Sequence, residues 1–196
     1  MKFRAVYNHI IFKFLDEIDR EGRFVETTSW GFRIPGVVES SAKTPRWGVV
    51  THIGPGVTSI NVGQQILITA LKWTTNVKLN GEKHWQTDEK QINVVRESST
   101  SPMKPTRDTV IFKRHNQKIN QTTNGLHVVG DSIVETPKGT VVLLGPDCVD
   151  ELKDAVIYYS EVNFFNKFEH EKEPYWYIAE QDVLLYTPAH LQLNGN

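Results

Sequence analysis

The chain has 196 residues, 39% of them hydrophobic and 23% charged, which suits one large domain or two of roughly 100 residues each. With 22 basic and 23 acidic residues its formal charge is −1, so no long-range field draws it toward nucleic acid or anionic lipid, and neither is expected as a partner. Cys148 is the sole cysteine, which excludes an internal disulfide and fits a reducing compartment.

The N-terminus, "MKFRAVYNHIIFKFLDEID", has a short apolar run soon broken by acids and no signal-peptide pattern. No stretch approaches the ~18 apolar residues of a membrane span. The expected setting is cytoplasmic: a water-soluble chain, or one in a host cytoplasm or virion if it belongs to a virus. "IIFKF" (10–14), "VVTHI" (49–53) and "QILIT" (65–69) then read as short strands, rich in β-branched residues and bounded by Gly or Pro. Segment 71–88 reads as a hairpin turning at Asn80-Gly81, with Trp73 and Trp85 set to pair across it. "RESSTSPMKPTRD" (96–108) is rich in Ser, Thr and Pro and reads as a linker. Further strands follow at "VIFKR" (110–114), "TVVLL" (140–144) and "AVIYY" (155–159). In "FEHEKEPYWYIAEQD" (168–182), acids surround Tyr175, Trp176 and Tyr177, which favours an interface or hairpin packing over base stacking. No segment has a trustworthy helical period, so the fold is expected to be all-β, built as small barrels or sandwiches.

The chain also repeats itself. "TPRWGVVTHIGPG" (44–56) is answered by "TPKGTVVLLGPD" (136–147), each with two glycines six apart and Pro after the second. "HIIFKF" (9–14) is answered by "TVIFKR" (109–114), "VGQQILI" (62–68) by "LKDAVIY" (152–158), and "EKQINVV" (89–95) by "EQDVLLY" (180–186). Four blocks recur in one order, which is the signature of a duplicated unit. The large spacing difference lies between the first two blocks: Lys13 to Gly48 is 35 residues, Lys113 to Gly139 is 26. The glycines are expected to supply sharp bends at the ends of their strands. The division is then 1–96 for the first unit, 97–104 for a linker, 105–190 for the second unit and 191–196 for a tail. Units this small, with open strand edges, favour association between the two copies or between chains.

Taken in this order, the blocks resemble the GroES-like small co-chaperonins, which cap chaperonin rings. The resemblance rests on an apolar strand ending in a basic residue ("HIIFK", "DTVIFKR"), a Gly-x-V strand running to a glycine-rich turn ("GVVTHIGPG", "GTVVLLGPD"), a Gly-polar segment opening a strand ("VGQQILI"), and a closing acidic-then-apolar strand ("DEKQINVV", "EQDVLLY"). It covers nearly the whole chain and implies two tandem GroES-like small β-barrel domains. It also implies that the long loop after the first strand of each unit binds a chaperonin through a Gly followed by apolar-x-apolar. At those places stand Gly31, Phe32, Arg33 and Ile34, and Gly125, Leu126, His127 and Val128. The middle residues Arg33 and His127 are polar where the family usually has an aliphatic residue. The family's roof hairpin is missing after both glycine-rich turns, as in viral members. The first loop carries an extra charged stretch, "DEIDREGRFVETT".

The implied function is a non-enzymatic co-chaperonin that assists protein folding, with a chaperonin large-subunit ring as partner and a homo-oligomer formed by strand pairing at domain edges. Each apolar loop residue contributes about 1.5–3 kcal/mol on burial, set against about 1–2 kcal/mol for each loop residue ordered, so single loops bind weakly and a ring of them tightly. The alternative is a structural or decoration protein of a virus particle, using duplicated barrels as an assembly module. No catalytic residues, cofactor or metal site is expected. His9, His52, His84, His115, His127, His170 and His190 form no metal-like spacing and read as surface or strand residues. "GPG" lacks the Lys-Ser/Thr of a phosphate loop, no nucleophile elbow is present, and there is no dinucleotide-binding half for a dehydrogenase.

Overall fold

The structure, a computed structural model, describes residues 4–19, 24–27, 33–35, 43–115, 136–160 and 166–192. Alternating apolar residues and Gly/Pro punctuation produce strands almost throughout. The first half forms β1 (His9–Phe14), β2 (Val25–Thr27), β3 (Arg33–Pro35), β4 (Arg46–Ile53), β5 (Gln65–Ile68), β6 (Val77–Leu79), β7 (Glu82–Asp88), β8 (Ile92–Arg96) and β9 (Lys104–Pro105). The second forms β10 (Thr109–Arg114), β11 (Lys138–Leu144), β12 (Val156–Tyr159), β13 (Lys167–His170), β14 (Glu173–Ala179) and β15 (Val183–Thr187), then one helical turn, α1 (Ala189–Gln192). The fold is all-β apart from α1 and short 3-10 turns. No helix among the described residues is long and apolar enough to cross a membrane.

Two antiparallel sheets carry the chain, ordered β6-β7-β1-β4-β5-β8-β9 and β13-β14-β10-β11-β12-β15, beside the small β2-β3 hairpin. Apart from β9 the two orders are the same. Neither sheet closes into a barrel, so the expected barrels are replaced by open sheets. The register shifts at Ile11/Phe12 and again at Ile111/Phe112, a bulge that bends both first strands alike. The tight hairpin turn at Asn80 and Gly81, with φ of 51° and 85°, is matched by Glu171 and Lys172 at 51° and 66°. One alignment needs correction. Gly48 faces Ile66 and Gly139 faces Ile157, so 62–68 corresponds to 153–159, one residue later than the letters suggested. Gly63 at φ 93° then falls on Asp154 at φ 58°, a left-handed position that Asp can also occupy.

Turns open at the second glycine of each phrase as expected, Val57 N–H donating to the Gly54 carbonyl and Cys148 N–H to the Gly145 carbonyl at 3.1 Å, but steric room rather than a special backbone angle is what requires glycine there. Gly48, Gly54, Gly139 and Gly145 have no left-handed backbone; they are tightly packed. A Cβ on Gly48 would stand 2.6 Å from the Phe12 ring and one on Gly139 2.5 Å from the Phe112 ring. On Gly54 it would meet the Tyr7 carbonyl at 2.2 Å, and on Gly145 the Arg107 carbonyl at 2.1 Å.

Each sheet curls over its own core. Ile10, Phe12, Phe14, Val50 and Ile66 lead the first, and Val110, Phe112, Val141, Ile157 and Ile178 the second. Trp73 and Trp85 do not form the expected cross-hairpin pair but both pack on Phe14, at 5.1 and 4.8 Å between ring centroids. A third cluster joins the halves: Leu67, Val94 and Met103 from the first side meet Ile111, Phe168 and Tyr177 from the second. This explains a break in alternation. β1 alternates between half-buried and buried, as a one-faced strand should, whereas Thr109–Phe112 of β10 and all of β8 are buried, because the seam covers their outer faces. The segment read as a linker, 97–104, is drawn into this seam. Lys104 and Pro105 pair with Val95 and Val94 as β9, and Met103 is buried. Likewise Leu191 and Gln192, assigned to the tail, belong to α1.

Candidate functional site

Each half sends out a long excursion at the same place, between the strand that ends in a basic residue and the Gly-x-V strand. In both, the base is tied by one backbone bond: Leu15 N–H donates to the Trp47 carbonyl at 3.0 Å, and His115 N–H to the Lys138 carbonyl at 3.0 Å. Beside each base a lysine reaches across to the hairpin, Lys13 bonding Glu82 and Lys113 bonding Glu173 at 3.2 Å. The Lys13 hydrogen bond and charge hold Glu82 below the usual carboxylate range.

The two bases then diverge. Phe14 sits among Phe12, Phe24, Trp73 and Trp85, with ring centroids 4.8–5.1 Å away and edge-to-face geometry. Phe24, from the extra charged stretch, is buried in this nest with Arg46 stacked over its ring at 4.5 Å, and Arg46 also pairs with Asp16 at 3.7 Å. The Ile18–Phe24 bridge and a bond from Val25 N–H to the Glu17 carbonyl lead the chain into β2. The stretch that had no family counterpart therefore clamps the first excursion. Its signal was the single aromatic in "REGRFVETT". In the second half Arg114 stands where Phe14 stands in the first. Phe112 packs instead on Tyr159 at 4.7 Å, and the base is closed by His115 Nε2 and the Thr140 hydroxyl at 2.7 Å.

The sequence-derived loop residues are placed only in part. Arg33 and Ile34 lie in β3, opposite Thr27 and Glu26 of β2. Gly31, Phe32, Gly125, Leu126, His127 and Val128 lie outside the described residues. Within the excursion 15–45 the described residues thus include the antiparallel pair β2–β3.

The seam between the halves holds the polar cluster that sequence reasoning missed. Arg96 stacks on Trp47 at 3.7 Å, donates to Gln65 Oε1 at 2.8 Å and points Nη1 at His170 Nδ1, 2.9 Å away. Trp47 Nε1 donates to the Glu169 carbonyl at 3.2 Å. Burial, with Arg96 adding to it against Glu171, pushes the His170 imidazole below its ordinary range, so its neutral ring accepts the Arg96 hydrogen bond. His84 and His170 are strand residues, of β7 and β13, and both are buried. Tyr177, deep in the seam, has its hydroxyl pushed up to about 12 by burial.

A groove of about 1010 Å³ runs beside the seam, lined in part by Tyr7, Glu89, Lys104 and Arg107. Two of its charged residues, Arg107 and Glu89, hold neighbouring groups of the fold. Arg107 and Thr106 both donate to the Ile92 carbonyl, at 3.0 and 2.6 Å. Burial alone would raise Glu89, but the Ser59 hydroxyl and the N–H groups of Ser59 and Thr58 outweigh it and lower its carboxyl. Glu180 holds Val149 N–H at 2.9 Å in the matching place. Burial and nearby acids raise the Cys148 thiol, which makes it a poor nucleophile. Among the described residues no three of His, Cys, Asp or Glu gather to hold a metal ion. No protein-family model matches the chain, and no curated protein matches it at a significant level.

Proposed function

We propose that the chain is a non-enzymatic co-chaperonin, two tandem GroES-like units that cap a chaperonin ring through apolar loop residues. The observation that carries this reading is the doubled loop base: the same bond and the same lysine-to-hairpin ion pair root an excursion at the same point of both sheets. A fixed base and an apolar tip let a loop plug a hydrophobic site on a larger partner. Several loops acting together turn weak single contacts into tight but releasable capping. Phe32, Ile34, Leu126 and Val128 are the plug residues of this reading. A second reading, a structural module of a virus particle, is favoured by the pairing of Arg33 and Ile34 inside β3, since a strand already committed to a hairpin suits a fixed lattice contact.

Pull-down with a chaperonin ring and nucleotide tests the choice. Capping requires the native chain to bind and both Phe32→Asp and Leu126→Asp to weaken binding at least tenfold. If the native chain fails to bind any chaperonin ring, the capping role is lost and the structural reading takes its place.

A further inference from the structure

His52 and His84 are far apart in the sequence, which hides them from any reading of motif spacing, but the first sheet sets them side by side. β1 lies between β4 and β7. His52 stands opposite Ile11 on one side of β1, and Gln86 stands opposite Ile11 on the other. His84 precedes Gln86 by two residues and so shares its face of the sheet. Strands two apart in a sheet are about 9.6 Å apart. The two imidazole centroids are only 6.4 Å apart, with their planes at 64°, so the rings lean toward each other over β1.

Hydrogen bonds decide which nitrogen of each ring is free. His84 Nδ1 lies 3.1 Å from the Glu82 carbonyl oxygen. A carbonyl only accepts, so this nitrogen carries the proton. His52 Nδ1 lies 3.2 Å from the Thr51 hydroxyl oxygen. That hydroxyl donates its own proton to the Ile11 carbonyl at 3.1 Å, so it accepts from His52. Each neutral ring is therefore protonated at Nδ1 and carries its lone pair on Nε2. His84 is 4% exposed, yet its Nε2 is not one of the buried atoms left without a partner, so water reaches it. A hydrogen bond from Nδ1 to a protein oxygen, with Nε2 open, is the arrangement of metal-bound histidine: it fixes the tautomer, orients the ring and raises its basicity.

We propose that His52 and His84 form a binding site for a divalent transition-metal ion, with Nε2 of each ring as a ligand and water in the remaining positions. Imidazole suits copper, nickel and zinc, and copper(II) binds such nitrogen sites most tightly; magnesium and calcium take oxygen ligands and are not bound. Metal–nitrogen distances of about 2.0–2.1 Å place two ring centroids about 5 Å apart on a tetrahedral ion. The rings close from 6.4 Å by the swing of His52, which is the less buried of the two, while His84 stays in place. Among the described residues no third His, Cys, Asp or Glu completes the set, so the site is a two-nitrogen chelate. Arg4 lines the same shallow cavity as His52 and weakens the site for any cation. A bound ion ties β4 to β7 across β1. The second sheet has Leu143 and Tyr175 at the matching places and offers no such chelate.

The test uses the full chain with Cys148→Ser, so that no thiol competes for the metal. Copper(II) is titrated alone, followed by tryptophan fluorescence and by electron paramagnetic resonance. The expected result is saturable quenching, because Trp85 adjoins His84, and a copper signal split by two imidazole nitrogens. His52→Ala and His84→Ala are each expected to weaken binding at least tenfold, whereas His190→Ala and added magnesium leave it unchanged. His84 is buried and its loss disturbs packing, so His52→Ala, checked for native circular dichroism, decides the outcome. Saturation of His52→Ala at the same copper concentration as its parent, with the same two-nitrogen signal, places the ion elsewhere and overturns the proposal. Quenching that never saturates in the parent chain overturns it as well.

Discussion

Replacing Gly54 or Gly145 by alanine is expected to destabilise the protein through the arm that precedes each first strand. Gly54 N–H donates to the His9 carbonyl and Gly145 N–H to the Thr109 carbonyl, at 2.9 and 2.8 Å, which fixes both backbones against the arm. Tyr7 and Arg107 hold that arm in a left-handed bend, at φ 51° and 50°, and their carbonyl oxygens lie 2.2 and 2.1 Å from where the new Cβ would stand. The obstacle is backbone, so no rotamer change relieves it; strand and arm must part by about 1 Å. Overpacking of this kind costs about 1–3 kcal/mol, which for a chain of this length lowers the midpoint by about 2–12 °C. Thermal unfolding followed by circular dichroism reads it. Gly63→Asp is the control. It has a left-handed φ of 93° and open space around it, and Asp154 already occupies the matching site at φ 58°, so its cost stays under about 1 kcal/mol. Midpoints within about 1 °C of native for both alanine variants, or a larger loss for Gly63→Asp, would refute the packing account.

The polar clasp of the seam makes stability depend on pH. Neutral His170 is required in the folded chain, whereas in the unfolded chain its imidazole takes a proton near the ordinary 6.5; below that pH the unfolded form binds more protons and stability falls, until the lowered folded-state value is passed. Urea midpoints between pH 7.5 and 5.5 check this: the native chain is expected to lose more over that range than His170→Leu, which borrows Leu79 from the matching hairpin, and equal losses would remove His170 from the argument. At the base of the first excursion, Phe14→Ala is expected to cost about 3–5 kcal/mol and to release the Val25 amide in hydrogen exchange, because Phe12, Phe24, Trp73 and Trp85 all lose their edge-to-face partner.

Much of this fold was legible because the repeat is carried by residues whose requirements are steric. Phe12 and Phe112 stand over Gly48 and Gly139, so each pair persists in both copies, and the Gly-x5-Gly phrase marked both central strands. The alignment slipped by one residue at 152–158 because Asp154 has replaced the glycine that marked the same turn at Gly63. The glycine-rich phrase was legible as a pattern but not as a cause, since a neighbouring carbonyl leaves no trace in the letters. At the candidate loops, spacing indicated where each excursion leaves its sheet, but not that Phe24 returns to the core or that Arg33 and Ile34 enter a strand. Those outcomes depend on partners distant in sequence.

The seam was hidden for a different reason, and the two copies hold its trace in their differences. Leu143, Phe168, Tyr175 and Tyr177 line or flank the joined face of the second sheet; the matching residues of the first sheet are His52, Val77, His84 and Gln86. On the opposite face the contrast runs the same way: Trp47 and Arg96 form the clasp, and Lys138 and Thr187 stand at the matching places. The core positions barely change between copies, Phe12 with Phe112 and Trp85 with Trp176 among them. Each copy needs the same interior to fold, but only one copy of each outer face meets its partner permanently within the chain. The faces that meet in the seam carry Phe168, Tyr175, Trp47 and the Arg96–His170 clasp where the matching faces have Val77, His84, Lys138, Thr187 and Leu79, although Leu67 and Val94 of the seam answer to the larger Tyr158 and Leu185. At the seam the duplicated chain thus shows in its own sequence how the halves are joined: the interiors stay alike, while the faces that meet differ from their counterparts in the other copy.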